Sequence, residues 1–288
     1  MTGSMAWVLV DGDAAGSLGP AMAWTRRHGA TRLTLIGTDG IGTAARRAAY
    51  FDDPPTVLAL ADSTLAPAGA DPLVVEPPPP DDPALAAQLE AAGLEVNIEH
   101  GRLLGEYRGL EVARIERGDD GPVLHIGVGK LDREMTALVH EDLPRPEALD
   151  RVVGIVRHDR QADRPPHPLR DLAPERWLRT VIVTDPGMVG CADLAPSPSP
   201  FARETLTERS TTACTGHDAS GRAVTVVVSV GIDLDLIPIA ADTRAHLDPS
   251  SMLVVVVPER DVHQLTEEIA ARVSDGCEIR TVRTDWRG

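Results

Sequence analysis

Trp7-Val8-Leu9-Val10-Asp11-Gly12-Asp13 is a short apolar run that ends in an acidic, glycine-bearing loop, the pattern of a buried strand entering a turn. Working outward, residues 18–28 carry Leu18, Met22 and Ala23 at helical spacing, with Pro20 tolerable in a first helical turn. Residues 32–36 read as a second strand, and residues 41–51 as a second helix with Ala44, Ala45, Ala48 and Ala49 as small packing positions. Residues 56–60 close the series as a third strand. Strand, helix, strand, helix, strand within so short a span predicts a parallel sheet with right-handed crossovers.

The same order recurs at the far end. Residues 224–230 read as a strand, 236–246 as a helix, 252–257 as a β-branched strand, 262–273 as a helix and 278–282 as a last strand. Aligned without gaps, Val8-Leu9-Val10 falls on Val226-Val227-Val228, and Pro20 falls on Pro238. Thr25-Arg26-x-His28 falls on Thr243-Arg244-x-His246. A shared proline and a shared T-R-x-H point to an internal repeat. The alternative is two unrelated βαβ units that obey the same packing rules. The fold class expected is therefore α/β, with a Rossmann-like unit at each end and a β-rich α+β middle. The two units would pack together or share one sheet around that insertion.

Pro77-Pro78-Pro79-Pro80-Asp81-Asp82 is a stiff linker and the clearest boundary. It divides the chain into residues 1–76, a linker at 77–83, a middle segment at 84–185 and a C-terminal segment at 186–288. The middle offers a helix at 84–92 and strand-like runs at 94–98, 103–107, 110–116 and 123–128. The turn sequence Arg117-Gly118-Asp119-Asp120-Gly121-Pro122 makes the last two a hairpin. Helices are expected at 131–141, 146–156 and from 174, and irregular backbone at 158–168 and 195–200. A further hairpin turns at residues 217–221.

Composition bounds the function. With 42% hydrophobic residues in 288, the chain can build a sizeable core, and no apolar stretch approaches a membrane span. The first residues, Met1-Thr2-Gly3-Ser4-Met5, lack a basic start and an apolar core, so the expected location is cytoplasmic. Cys191, Cys214 and Cys277 are scattered without metal-ligand spacing and read as small core residues. A net charge of −16 works against duplex nucleic acid and anionic membranes as partners. Lys130 is the sole lysine; arginine supplies the other basic side chains.

Chemistry is expected where parallel strands end and helices begin, since helix N-termini favour negative charge. The two loops there are Asp11–Ser17 and Ser229–Asp235. Gly12, Gly16 and Gly231 would let a nucleotide or phosphorylated small molecule approach the backbone, and Ser17 and Ser229 could donate hydrogen bonds. Neither loop is a G-x-G-x-x-G or a P-loop. Asp11 with Asp13, and Asp233 with Asp235, form D-x-D pairs that could each hold Mg²⁺ or Mn²⁺; the competing reading is helix N-caps and solvated loop acids.

In the middle segment, Gly109-Leu110-Glu111-Val112-Ala113, a turn, then Leu124-His125-Ile126-Gly127-Val128-Gly129-Lys130 resembles the core of PD-(D/E)XK nucleases. The resemblance implies Glu111 as first metal-holding acid and Lys130 as the lysine that orients water. Val128 stands where the second acid belongs, with Asp132 and Glu134 just beyond as substitutes; a structural hairpin is the alternative. The run Val226-Val227-Val228-Ser229-Val230-Gly231, Pro238, and residues 253–259 resemble CARF-type Rossmann domains. That resemblance implies a cyclic-oligonucleotide or other small-molecule sensor, some relatives of which carry such nucleases. The remaining functional classes are a metal-dependent enzyme on a phosphorylated small molecule and a non-catalytic interaction protein. Residues 151–179 are locally arginine-rich, which fits either an anion patch or a set of internal salt bridges. His28 and His246, near helix ends, read as structural.

Overall fold

The computed structural model describes residues 4–130, 132–133, 144–161, 167–201 and 210–287. The protein is α/β. In chain order its strands and helices are β1 (Met5–Leu9), α1 (Leu18–Arg27), β2 (Arg32–Gly37), α2 (Ile41–Ala48), β3 (Thr56–Ala61) and β4 (Thr64–Pro67). There follow α3 (Pro83–Ala91), β5 (Glu95–Glu99), β6 (Arg102–Tyr107), β7 (Leu110–Gly118), β8 (Gly121–Ile126), α4 (Arg145–Asp159), α5 (Pro168–Asp171) and α6 (Pro174–Thr184). The last are β9 (Cys191–Ser197), β10 (Thr212–Asp218), β11 (Ala223–Val228), α7 (Leu236–Leu247), β12 (Met252–Pro258), α8 (Gln264–Ala270) and β13 (Cys277–Val282). The helix expected at 131–141 falls largely outside the described residues. No helix among the described residues is long and apolar enough to cross a membrane.

The chain forms two compact units, one of Met1–Val74 with His217–Thr284 and one of Val75–Gly216 with Asp285–Gly288. Both chain-end βαβαβ segments thus lie in the first. There β1, β2 and β3 pair in parallel in sequential order, and β4 adds antiparallel to β3. β11, β12 and β13 pair in parallel in the same way. Period-2 alternation decides which side chains meet the helices. Ala6, Leu33, Leu35 and Val57 of the first sheet share one core with Leu18 and Met22 of α1 and Ala44 of α2. Val227, Leu253, Val255 and Val257 from the second set of strands join the same core with Ile237, Ala240 and Ile269 of α7 and α8. Helices therefore meet helices, α1 against α8 and α2 against α7.

The other faces differ. Val224, Val226, Val228, Val254 and Val256 are buried, so β11 and β12 are covered on both sides, as their unbroken valine runs require. On the first sheet the outward positions stay open, with Trp7 50%, Leu9 68% and Leu65 46% exposed.

In the second unit β5, β6, β7 and β8 form an antiparallel meander with a register shift between Gly105 and Glu106. Leu110, Val112, Ile115, Leu124 and Ile126 pack against Leu89 of α3 and Leu149, Val153 and Val156 of α4. The hairpin turn is tight, Gly118 pairing with Gly121, so the strands run further into the predicted turn than 116 and 123. β9 likewise continues through Pro196 into a segment expected to be irregular. It is an end strand, the place in a sheet where proline is tolerated.

Candidate functional site

The strand-end loops of the first unit meet at the start of α1. Gly19 is the reason they can. A Cβ there would lie 2.0 Å from Leu234 O and 2.7 Å from Asp235 Cα, so only glycine admits the second loop's backbone. The Gly19 N–H, an orphan donor of the first helical turn, donates to Asp235 Oδ1 at 2.8 Å. Asp235 Oδ2 accepts from Arg47 Nη1 at 3.0 Å, and that same nitrogen donates to Ala15 O at 2.9 Å. One carboxylate from the C-terminal half thus satisfies a helix end and an arginine from the N-terminal half. Burial raises the Asp235 carboxyl to about 7, against the pull of Arg47 and the Gly19 N–H, with Asp233 and Asp13 adding to the rise.

Behind it lies a second ionic layer. Asp242, fully buried on α7, accepts from Arg46 Nε at 2.9 Å, Arg46 Nη2 at 3.0 Å and Arg47 Nε at 3.2 Å. Arg46 also donates to Asp71 O and Pro72 O at 2.9 and 3.0 Å. The hydrogen bonds it donates to Asp242 hold the Arg46 guanidinium charged, raising its pKa despite burial.

Of the loop residues expected to meet a ligand, Gly16, Ser17, Gly231 and Ser229 are bonded within the chain. Asp13 Oδ1 accepts from Ala15 N at 3.0 Å and Oδ2 from Gly16 N at 3.1 Å, while the Ser17 hydroxyl donates to Asp13 O at 2.8 Å. Gly231 N donates to Asp261 Oδ2 at 2.8 Å, and Ser229 N to Val256 O at 3.1 Å, which places Ser229 in the strand ladder and buries it. Gly12 is exposed, with φ +121°. A protein carboxylate thus sits on the amides of both loops where an anionic ligand would sit. The crevice beside the second loop, lined by Gly231, Asp233, Val257, Asp261 and His263, has a volume of about 10 Å³. That admits one water, against the several hundred Å³ of a small-molecule site.

In the second D-x-D pair the two carboxylates serve different partners within the chain. Asp233 Oδ1 accepts from the Asp235 N–H at 2.8 Å, a local turn, while Asp235 is committed to Gly19 and Arg47. Among the described residues no group of three or more His, Cys, Asp or Glu is placed to hold a metal ion.

In the second unit Glu111 lies buried on β7 and accepts from Arg114 Nε at 2.6 Å and Arg133 Nη1 at 2.9 Å. Lys130 is exposed, and Asp132 Oδ2 accepts from Val128 N at 2.6 Å, closing a turn. The structure brings Glu111 to arginines rather than to Lys130 or Asp132. Glu134 lies outside the described residues.

Besides the Arg46–Arg47–Asp242 layer, two clusters were not assembled from the sequence, in which the arginines of 151–179 read only as an anion patch or internal salt bridges. Glu106 on β6, fully buried, accepts from Arg179 Nη2 at 2.6 Å and Asn97 Nδ2 at 2.8 Å and pairs with Arg176, which also pairs with Glu99. Burial would raise the Glu106 carboxyl, but the two guanidiniums hold it below its ordinary value. Arg160 is fully buried over the Trp177 ring at 4.7 Å. Its guanidinium donates to Arg108 O at 3.1 Å, to Leu169 O and Leu172 O at 2.7 Å each and to Ala173 O at 3.2 Å, and burial lowers its pKa to about 9. Three arginines of the basic segment are thus internal struts. The signals were Arg46-Arg47 inside an alanine helix, Asp242 inside an apolar one, and acids on both strands of one hairpin.

No family model, curated protein or solved structure matches this chain.

Proposed function

We propose that the chain is a non-catalytic interaction protein. The observation that carries this reading is that the charged groups at both candidate centres, Asp13, Asp235 and Asp261 in one unit and Glu111 in the other, are bonded to donors of the chain itself. A catalytic acid or metal ligand needs an open position, and each of these carboxylates is already engaged by the chain's own donors. On this reading the nuclease-like hairpin is degenerate and Lys130 is a surface residue. The test is turnover of nucleic acids and phosphorylated small molecules with Mg²⁺ or Mn²⁺. None is expected; metal-dependent turnover abolished by Glu111→Gln or Asp233→Ala would overturn the reading.

A second reading, a CARF-like nucleotide or small-molecule sensor, is favoured by one observation. Both strand-end loops converge on Asp235, where a ligand could exchange with the internal carboxylates. It builds on taking the chain-end halves as Rossmann-like units and an internal repeat. In support, Thr25 and Thr243 donate to the carbonyls of Ala21 and Ile239 at 2.7 and 2.8 Å. His28 and His246 bond through Nδ1 to the carbonyls of Trp24 and Asp242, each at 2.8 Å. Thermal-shift screening against nucleotides, cyclic oligonucleotides and sugar phosphates separates the readings. A dose-dependent rise with one class establishes the sensor, and a flat response leaves the interaction protein.

A further inference from the structure

Three donor side chains of the second unit stand together without acceptors to match. Tyr107 ends β6, Arg108 opens the turn into β7, and Arg157 lies in the last turn of α4. The Arg108 guanidinium carbon is 5.8 Å from the centre of the Tyr107 ring and 5.5 Å from that of Trp177. The Arg157 carbon is 5.6 Å from the Tyr107 ring, so two cations flank one half-buried phenol. Arg108 Nη1 donates to Arg160 O at 3.0 Å and Arg157 Nη2 to Ala92 O at 3.4 Å. Among the described residues neither guanidinium has an acidic partner, and the Tyr107 hydroxyl has no hydrogen bond. Acids are plentiful, 44 against 28 basic residues, and Arg46, Arg47, Arg114, Arg133, Arg176 and Arg179 each hold one. The backbone also sets Arg108 in place at a cost. Arg108 and Gly109 have φ of +48° and +73°, the two-residue turn that favours Asn-Gly and strains a residue with a longer side chain. A Cβ on Gly109 would meet the Arg176 backbone of α6, which fixes the turn. Burial lowers the neighbouring Arg160 to about 9, and Arg287 and Arg108 push it down further against the pull of Glu106 and Glu175.

We propose that Tyr107, Arg108 and Arg157 form a binding site for a phosphate-type oxyanion, free or as the head of a small phosphomonoester. The site goes beyond the interaction reading and does not depend on it. The three side chains supply N–H and O–H donors, and an anion satisfies two guanidiniums that a neutral ligand would leave uncompensated. Guanidinium forks match phosphate oxygens in pairs, and three separate donor groups suit a head with more oxygens than the two of a carboxylate. Arg108 is preorganised by its bond to Arg160 O and its position over two rings. The chain's net charge of −16 disfavours a long polyanion as the carrier of the phosphate.

The experiment is isothermal titration calorimetry of the full chain with inorganic phosphate, glycerol phosphate and acetate. The expected result is saturable binding of phosphate or its ester that weakens as salt rises, with acetate at least about tenfold weaker. Arg157→Gln should weaken phosphate binding about tenfold or more, Arg157→Lys by less, and Tyr107→Phe roughly threefold. Arg145→Gln removes the same charge about 18 Å away along α4 and should leave binding unchanged. Arg157 is exposed and its one bond is long, so its variants should fold, which thermal unfolding checks. Tighter binding of inorganic phosphate assigns the free anion, and equal or tighter binding of the ester assigns a monoester. No saturable binding of either overturns the proposal. So does binding that Arg157→Gln leaves intact, which would place it elsewhere, or that Arg145→Gln weakens as much, which would make it diffuse attraction. Acetate bound as tightly as phosphate overturns the phosphate class.

Discussion

Replacing Asp242 with alanine tests whether the buried ionic layer holds the first unit together. Its carboxylate accepts at 2.9, 3.0 and 3.2 Å from Arg46 and Arg47, whose side chains are only 8% and 6% exposed. Removal strands the Arg46 guanidinium, which keeps only Asp71 O and Pro72 O, whereas Arg47 keeps Ala15 O and Asp235. Breaking a buried pair by deleting one partner costs about 3–5 kcal/mol, because the remaining charge is left dry and unpaired. For a unit of this size that corresponds to roughly 10 °C in Tm. Differential scanning calorimetry reads the loss, and a double variant, Asp242→Leu with Arg46→Met, provides the contrast, since Arg47 keeps Asp235 and Ala15 O. Apolar replacement of a buried ion pair is often neutral, so the double variant should recover most of the loss. A loss below about 1 kcal/mol for Asp242→Ala, or a double variant no better than the single, would refute the reasoning.

Asp235→Asn should alter the pH dependence of stability. The folded-state value of about 7 lies above that of an unfolded aspartate, so between about pH 4 and 7 the folded chain holds a proton that the unfolded chain has lost. Wild-type stability should therefore fall relative to the variant as pH rises through that window, by about 1–3 kcal/mol, read from urea midpoints at both ends. Gly19→Ala should cost about 3 kcal/mol, or prevent folding of the first unit, because its Cβ meets backbone rather than a flexible side chain; urea unfolding against a Gly154→Ala control checks it. Arg160→Lys keeps the charge but loses the planar fork that reaches four carbonyl-bearing residues, and a loss of about 3 kcal/mol is expected by the same measurement.

The strands of both chain-end segments were legible because apolar runs of four to seven residues bounded by glycine and aspartate have few other readings. β4 was not, since Thr64–Pro67 is exposed and carries no pattern for burial to impose. The internal partners of the strand-end loops were illegible for a different reason. Whether a glycine amide awaits a ligand depends on what else can reach it. For Gly231 the acceptor is Asp261, and for Gly19 it is Asp235, more than two hundred positions away. Local sequence also gives no account of Arg160, which looks like one more surface cation in a basic segment. Its partners are backbone carbonyls, which every residue has and which therefore leave no signature.

Because the first unit is assembled from the two ends of the chain, its folding is set by the ribosome's clock. About 140 residues separate the halves, so at 5–20 residues per second the N-terminal half waits roughly 7 to 30 s for its counterpart. During that wait Leu18 and Met22 have no α7 or α8 to lie on, Gly19 has no Asp235, and Arg46 and Arg47 have no Asp242. The two arginines that lock the finished unit are thus uncompensated charges on its waiting half.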